Sequence, residues 1–69
     1  MNKELLREVI DIADTVALVA LCGGDSAGQL ELEIQRATYT FGLTDSLLSQ
    51  FKAQVMTRLQ NKYNIRGQI

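Results

Sequence analysis

The sequence predicts an all-α fold, a compact three-helix domain in which a helix, a glycine-rich turn, a second helix, a short turn and a third helix follow one another. Three segments repeat apolar residues at the three-to-four-residue spacing of amphipathic helices. Glycines separate these segments, and the chain has no proline to interrupt a helix. Because 69 residues suffice for one domain, we expect residues 1–69 to form a single helical domain.

The first helix is predicted from Lys3 to Cys22, because apolar side chains repeat on one face and charged side chains lie opposite. The apolar positions are Leu5, Leu6, Val9, Ile10, Ala13, Val16, Ala17 and Ala20. From Val16 onward every residue is apolar, which places Leu18 and Cys22 on the otherwise polar face. We therefore expect another surface to cover them. Membrane spans require about 20 apolar residues, so no membrane partner is expected.

The second helix is predicted to begin directly after Gly23 and Gly24. Glycine adopts the left-handed backbone at which many helices end, so this pair is expected to terminate the first helix. Ser26 and Gln29 have the spacing of a capping box, in which each side chain accepts a hydrogen bond from a free backbone N–H. Ser26 is accordingly the predicted N-cap.

Two interpretations fit the stretch from Leu30 to Phe41. As a helix, it places four apolar side chains on one face, namely Leu30, Ile34, Ala37 and Phe41. As a strand, it alternates apolar residues with acids and then continues through residues 38–41, which are rich in β-formers. The helical spacing is favoured, and the strand is the alternative.

The third helix is predicted to follow Gly42, with Thr44 as its N-cap and Asp45 placed favourably against the helix dipole. Its buried stripe comprises Leu48, Phe51, Val55, Leu59 and Tyr63, with Leu47 and Met56 on the two edges. The opposite face is polar but uncharged, and Arg58 lies nearer the stripe.

Charge is distributed unevenly along the chain. Residues 1–34 contain two basic and seven acidic residues, a formal charge of −5, and residues 35–69 contain five basic and one acidic residue, a charge of +4. Cores this small are usually reinforced by disulfides, metal or oligomerisation. One cysteine and no histidine preclude an intramolecular disulfide and the usual zinc site, so a homodimer is the remaining means of reinforcement.

No catalytic or cofactor-binding residue is predicted. The segment from Gly24 to Gly28 matches the G-x-S-x-G pattern and is similar to the nucleophile elbow of α/β-hydrolases. That chemistry requires a base to accept the serine proton, normally histidine, and the chain has none. We therefore expect a protein that is not an enzyme and uses no cofactor or metal. The single Cys22 and the lack of an export signal predict a cytoplasmic location.

Residues 37–52 resemble the helix-turn-helix family, with Gly42 as the turn glycine. This resemblance implies a DNA-facing set formed by Thr44, Ser46, Ser49, Gln50 and Lys52. DNA affinity comes largely from basic residues, and only Lys52 within the segment and Arg36 directly before it are basic, beside Asp45, in a chain of pI about 5.1. DNA binding is therefore the alternative hypothesis.

The favoured hypothesis is a regulatory protein that binds another protein through helix faces. Its expected partner-binding residues are Leu18, Cys22, Leu47, Met56 and Arg58. In size and character the chain resembles the small inhibitors that phages and plasmids encode against transcription regulators, such as Coi-type antirepressors. The resemblance, which involves no motif, implies that the partner is a repressor or another transcription regulator. A structural subunit of a larger assembly is the third hypothesis.

Overall fold

The computed structural model describes residues 3–65 and contains three helices, α1 (Lys3–Leu21), α2 (Ser26–Phe41) and α3 (Asp45–Tyr63). The all-α, three-helix prediction is confirmed. Since α2 runs to Phe41 and no strand occurs in residues 3–65, the strand interpretation is wrong. Within the same range no helix is long and apolar enough to cross a membrane.

α1 is the central helix, because α2 and α3 each pack along it and touch one another only slightly. It supplies half of the buried core, through Leu5, Val9, Ile12, Ala13, Val16 and Ala17. The other half comes from α2 and α3, through Leu30, Ile34, Ala37, Phe51, Val55 and Leu59. The fold therefore depends on how well the two outer helices cover α1.

The buried face of α1 differs from the predicted one at four positions. Ile12 is 1% exposed although the predicted stripe omitted it, whereas Leu6 is 47% exposed and Ile10 and Ala20 are half-buried. The reason is that α2 and α3 both pack on α1 and together cover its full buried face, including Ile12. Leu6 and Ile10 lie at the edge of this face, beside α3.

Two glycines end α1 in the predicted manner. Gly23 has a left-handed backbone, with φ of 80°, and its N–H donates to the Ala20 carbonyl at 3.2 Å. The Gly24 N–H donates to the Val19 carbonyl at 2.9 Å, which completes a Schellman motif. A Cβ on Gly24 would lie 2.9 Å from Val19 Cγ1, so both positions favour glycine.

The N-cap of α2 is Asp25, so the prediction of Ser26 is wrong by one residue. Asp25 Oδ1 accepts a hydrogen bond from the Gly28 N–H at 2.9 Å, and Ser26 is the first helical residue. The Gln29 side chain donates instead to Glu33 Oε1 at 3.0 Å. A carboxylate has the advantage over a hydroxyl here, because its charge also interacts favourably with the helix dipole.

We expect Asp25→Ala to lower the free energy of unfolding by about 1 kcal/mol, the usual contribution of an N-cap. Asp25→Asn should retain most of the stability, since asparagine caps nearly as well, and Ser26→Ala should have little effect. Urea denaturation followed by circular dichroism measures all three. A larger loss for Ser26→Ala than for Asp25→Ala would contradict the assignment.

The connection from α2 to α3 agrees with its prediction. Gly42 is left-handed, with φ of 60°, and its N–H donates to the Thr38 carbonyl at 2.9 Å. Thr44 Oγ1 accepts from the Leu47 N–H at 3.3 Å and so caps α3. These two residues reverse the chain within three positions and set the start of α3.

Candidate protein-binding surfaces

The end of α1 carries exposed apolar side chains, as predicted. Leu18 is 63% exposed, Leu21 is 72% exposed and Cys22 is also exposed. We call these three residues the α1 end patch; they lie three and four positions apart and so share one side of the helix. Neighbouring Val16 and Ala17 are buried in the core, so the patch is held on a well-packed helix.

A second candidate surface is a groove of about 240 Å³ between α1 and α3, which is apolar on its α1 side and polar on its α3 side and is here called the α1–α3 groove. Its α1 side is formed by Leu6, Val9 and Ile10, and its α3 side by Gln54, Thr57, Arg58, Asn61 and Lys62. Small-molecule pockets usually measure roughly 300–1,000 Å³. The groove therefore suits inserted side chains better than a metabolite.

The cations of the α1–α3 groove lack acidic partners within residues 3–65. The salt bridges of this range join Arg36 to Glu8 and Glu33, and Lys52 to Glu31. Arg58 Nε is buried and has no hydrogen-bond partner there, an arrangement that costs free energy in an isolated domain. A carboxylate placed in the groove would remove this cost.

A polar contact joins α3 to α1 beside the groove. The Tyr63 hydroxyl donates a hydrogen bond to Asp14 Oδ1, and Lys62 Nζ lies 5.4 Å from the centre of the Tyr63 ring. The hydrogen bond to Asp14 is the main cause that raises the pKa of Tyr63 above its ordinary value of 10.0. Asp14, Tyr63 and Lys62 therefore form one polar cluster beside the groove.

We expect Asp14→Ala to lower the pKa of Tyr63 towards its ordinary value, because the hydrogen bond that stabilises the neutral phenol is lost. The shift can be followed by tyrosinate absorbance in a Tyr39→Phe background, which leaves one tyrosine. Because the pKa of Tyr63 is raised in the folded state, the contact stabilises the fold below pH 10.0, and this stabilisation is lost as pH rises through the raised pKa. An unchanged titration would contradict the contact.

The five predicted partner-binding residues do not form one surface. Leu18 and Cys22 lie together in the α1 end patch, whereas Arg58 lines the α1–α3 groove. Met56 is half-buried against the core. Because it is two residues from Arg58, it lies on the other flank of α3. Leu47 is 44% exposed in the first turn of α3, at the opposite end of that helix from Tyr63.

Sequence reasoning missed other exposed apolar residues. Leu21 belongs to the apolar run of α1. Its position three residues after Leu18 was the signal that could have placed it on the same side of the helix as Leu18. Leu32 and Tyr39, which are 62% and 92% exposed, lie seven residues apart on the outer face of α2. Treating that segment as a helix was sufficient to place both opposite Leu30 and Ile34.

The residues of the DNA-binding alternative are all exposed; they are Thr44, Ser46, Ser49, Gln50 and Lys52. Thr44 is engaged as the N-cap, and Lys52 Nζ lies 3.4 Å from Glu31 Oε1. Arg36 is likewise held by Glu8 and Glu33. The first half of α3 therefore has no unpaired cation, which is unfavourable for contact with DNA phosphates.

Residues 3–65 provide no metal site, and no similar protein was found. Residues 3–65 contain no group of three histidine, cysteine, aspartate or glutamate side chains that could hold a metal ion. Comparisons with protein-family models, with curated proteins and with solved structures give no match to this chain.

Proposed function

We propose that this chain is a small cytoplasmic regulatory protein that binds another protein through the α1 end patch and blocks its activity. The observation that carries the proposal is the exposure of Leu18 and Leu21, 63% and 72%, on a helix whose other face is buried. Full burial of a leucine side chain contributes roughly 1.5 to 3 kcal/mol. Because the helix is already ordered, little of this free energy is lost to ordering on binding.

Charge supports a transcription regulator as the partner. Asp11 and Asp14 precede the patch on α1, and Asp25 follows it. DNA-binding domains present basic surfaces to phosphate, so an apolar patch flanked by carboxylates complements such a surface. The resemblance in size and character to antirepressors is the other support. In this proposal the chain covers the DNA-binding face of a repressor and so prevents it from reaching its operator.

Affinity capture from the organism that encodes the chain tests the proposal. Tagged wild type, Leu18→Glu and Gln60→Glu are compared, each washed with and without nuclease. Gln60 is the control because it is an exposed residue of α3 outside the α1 end patch and the α1–α3 groove. After the nuclease wash, one partner protein should remain bound to wild type and to Gln60→Glu. Leu18→Glu should not retain it. The purified partner should then release its DNA when wild type is added, as fluorescence anisotropy reports.

Two results of that experiment would contradict the proposal. Recovery of nucleic acid alone would favour the helix-turn-helix alternative. Equal recovery of the partner by Leu18→Glu would remove the α1 end patch from the interface.

A further inference from the structure

The α1–α3 groove has an apolar wall on α1 and a wall with two cations on α3. On α1, Leu6 is 47% exposed and Ile10 is half-buried, so both retain apolar surface that the core does not cover. On α3, Arg58 and Lys62 are basic, and none of the residues that line the groove is acidic. We propose that the groove binds a peptide segment of another protein. An aliphatic side chain of that segment packs on the apolar wall, and a neighbouring aspartate or glutamate pairs with Arg58.

Arg58 is the reason to expect a carboxylate in the groove. Its Nε is buried and has no hydrogen-bond partner within residues 3–65, and its guanidinium takes part in none of the salt bridges of that range. A guanidinium presents adjacent N–H groups that fit both oxygens of one carboxylate. An acidic side chain of the peptide would therefore supply the acceptor that Arg58 lacks.

The start of α1 adds positive charge to the rim of the groove. At about 100° of rotation per residue, Lys3 and Arg7 lie about 20° and 60° from Ile10 around the helix. Glu4 and Glu8 are turned about 120° and 160° away from the same residue, and Glu8 is bound to an arginine of α2. Neither Lys3 nor Arg7 forms a salt bridge within residues 3–65. The basic residues of these two turns border the groove and the acidic ones face away, so the groove attracts an acidic segment.

Asp14 also lies on this side of α1, about 40° from Ile10. Its carboxylate already accepts the hydrogen bond from the Tyr63 hydroxyl. Lys62 lies against the ring of the same tyrosine, with its Nζ 5.4 Å from the ring centre. Asp14 and Lys62 therefore belong to one contact beside the groove, which leaves Arg58 as the cation for an incoming carboxylate.

A peptide fits the groove better than other classes of ligand. A volume of about 240 Å³ is small for a metabolite but suits inserted side chains. A nucleic acid would place phosphates on the cations but leave Leu6 and Ile10 uncovered. The α3 wall also carries Gln54, Thr57 and Asn61, whose amide and hydroxyl groups can bond to a peptide backbone. The alkyl chain of a fatty acid offers these groups nothing to bond.

The inference does not rest on the proposed function, because the groove is separate from the α1 end patch. Leu6 and Leu18 lie twelve residues apart along the chain and about 120° apart around α1. Each surface can therefore be altered by substitution without changing the other.

Selection of peptides on the purified chain tests the class of ligand. A library of random peptides displayed on phage is first depleted on immobilised Arg58→Met, which keeps the length of the side chain but removes its charge, and is then bound to wild type. The recovered peptides should share an aliphatic residue close to an aspartate or glutamate. Recovery of no peptide after the depletion, or of peptides without an acidic residue, would overturn the inference.

Calorimetry with one selected peptide tests the pairing with Arg58. Arg58→Met and Leu6→Glu should each weaken binding at least about tenfold, because the first removes the cation and the second places a carboxylate beside that of the peptide. Lys52→Met, which removes the same charge from an exposed position of α3 outside the groove, should bind as wild type does. Leu18→Glu should also bind as wild type does, and loss of peptide binding by a folded Leu18→Glu would contradict a groove separate from the patch.

A double-mutant cycle shows whether the peptide carboxylate contacts Arg58. Replacing the acidic residue of the peptide by its amide should weaken binding to wild type at least about tenfold but weaken binding to Arg58→Met little further. Additive losses would contradict the pairing. Displacement of the peptide by octanoate or by an oligonucleotide, at concentrations below that of the peptide itself, would identify another class of ligand and so refute the peptide assignment.

Urea denaturation distinguishes a binding role of Arg58 from a structural one. Because the substitution removes a buried donor without a partner, Arg58→Met should unfold at a urea midpoint no lower than that of wild type. A lower midpoint would show that Arg58 stabilises the isolated domain, which would overturn its assignment to a ligand.

Discussion

Phe51→Ala is expected to leave most of the protein unfolded at room temperature. Phe51 is fully buried where α3 packs on the core, and removing a buried phenylalanine side chain usually costs 3–5 kcal/mol. A core of this size supplies about that much stability in total. Circular dichroism should show loss of the helical signal, with Tyr39→Ala as the matched control because Tyr39 is 92% exposed. Cooperative unfolding of Phe51→Ala at the wild-type midpoint would contradict the described core.

Leu18→Glu is expected to weaken association at least about tenfold while the domain stays folded. The change removes roughly 1.5 to 3 kcal/mol of apolar burial from the contact and places a desolvated charge in it. Leu18 is 63% exposed in the isolated domain, so the substitution should change the free energy of unfolding of the domain little. Calorimetry with the captured partner measures the affinity, and urea denaturation measures the stability.

Two outcomes of that substitution carry different meanings. A folded variant with unchanged affinity would exclude the α1 end patch from the interface. An unfolded variant would place Leu18 in the core of the domain, and the uncharged face of α3 from Ser46 to Asn61 would become the next candidate.

The helices and most of their ends could be predicted because their signals are local. Gly23, Gly42 and Thr44 each act through backbone groups a few residues away, so the sequence alone identifies them. Local signals do not decide the N-cap of α2, because Asp25 and Ser26 are adjacent and both residue types can cap. Only the path by which the chain enters α2 decides between them.

The sides of the helices that face one another could not be predicted from periodicity. A repeat of apolar residues defines a face but not where α2 and α3 lie on it, which explains the errors at Leu6 and Ile12. The same limit applies to Met56 and Arg58. Both lie near the buried stripe of α3, yet they occupy opposite flanks of the helix.

The candidate surfaces could be predicted in part. Leu18 and Cys22 were identifiable because an apolar run that covers every side of a helix exceeds what one core can bury. The α1–α3 groove was not identifiable, since it forms only where α3 lies beside Leu6 and Ile10. An apolar patch also carries little chemical specificity, so the sequence indicates a protein partner without identifying it.

Site-specific photo-crosslinking in living cells tests the central claim most directly. A photoreactive phenylalanine analogue replaces Leu21 in the α1 end patch or, as the control, exposed Gln60 on α3. Irradiation at position 21 should yield a covalent adduct with another protein, in addition to any adduct with a second copy of the chain, and position 60 should yield neither. Adducts with the second copy alone, with nucleic acid alone, or equally from both positions would contradict the claim that the end of α1 binds a protein partner.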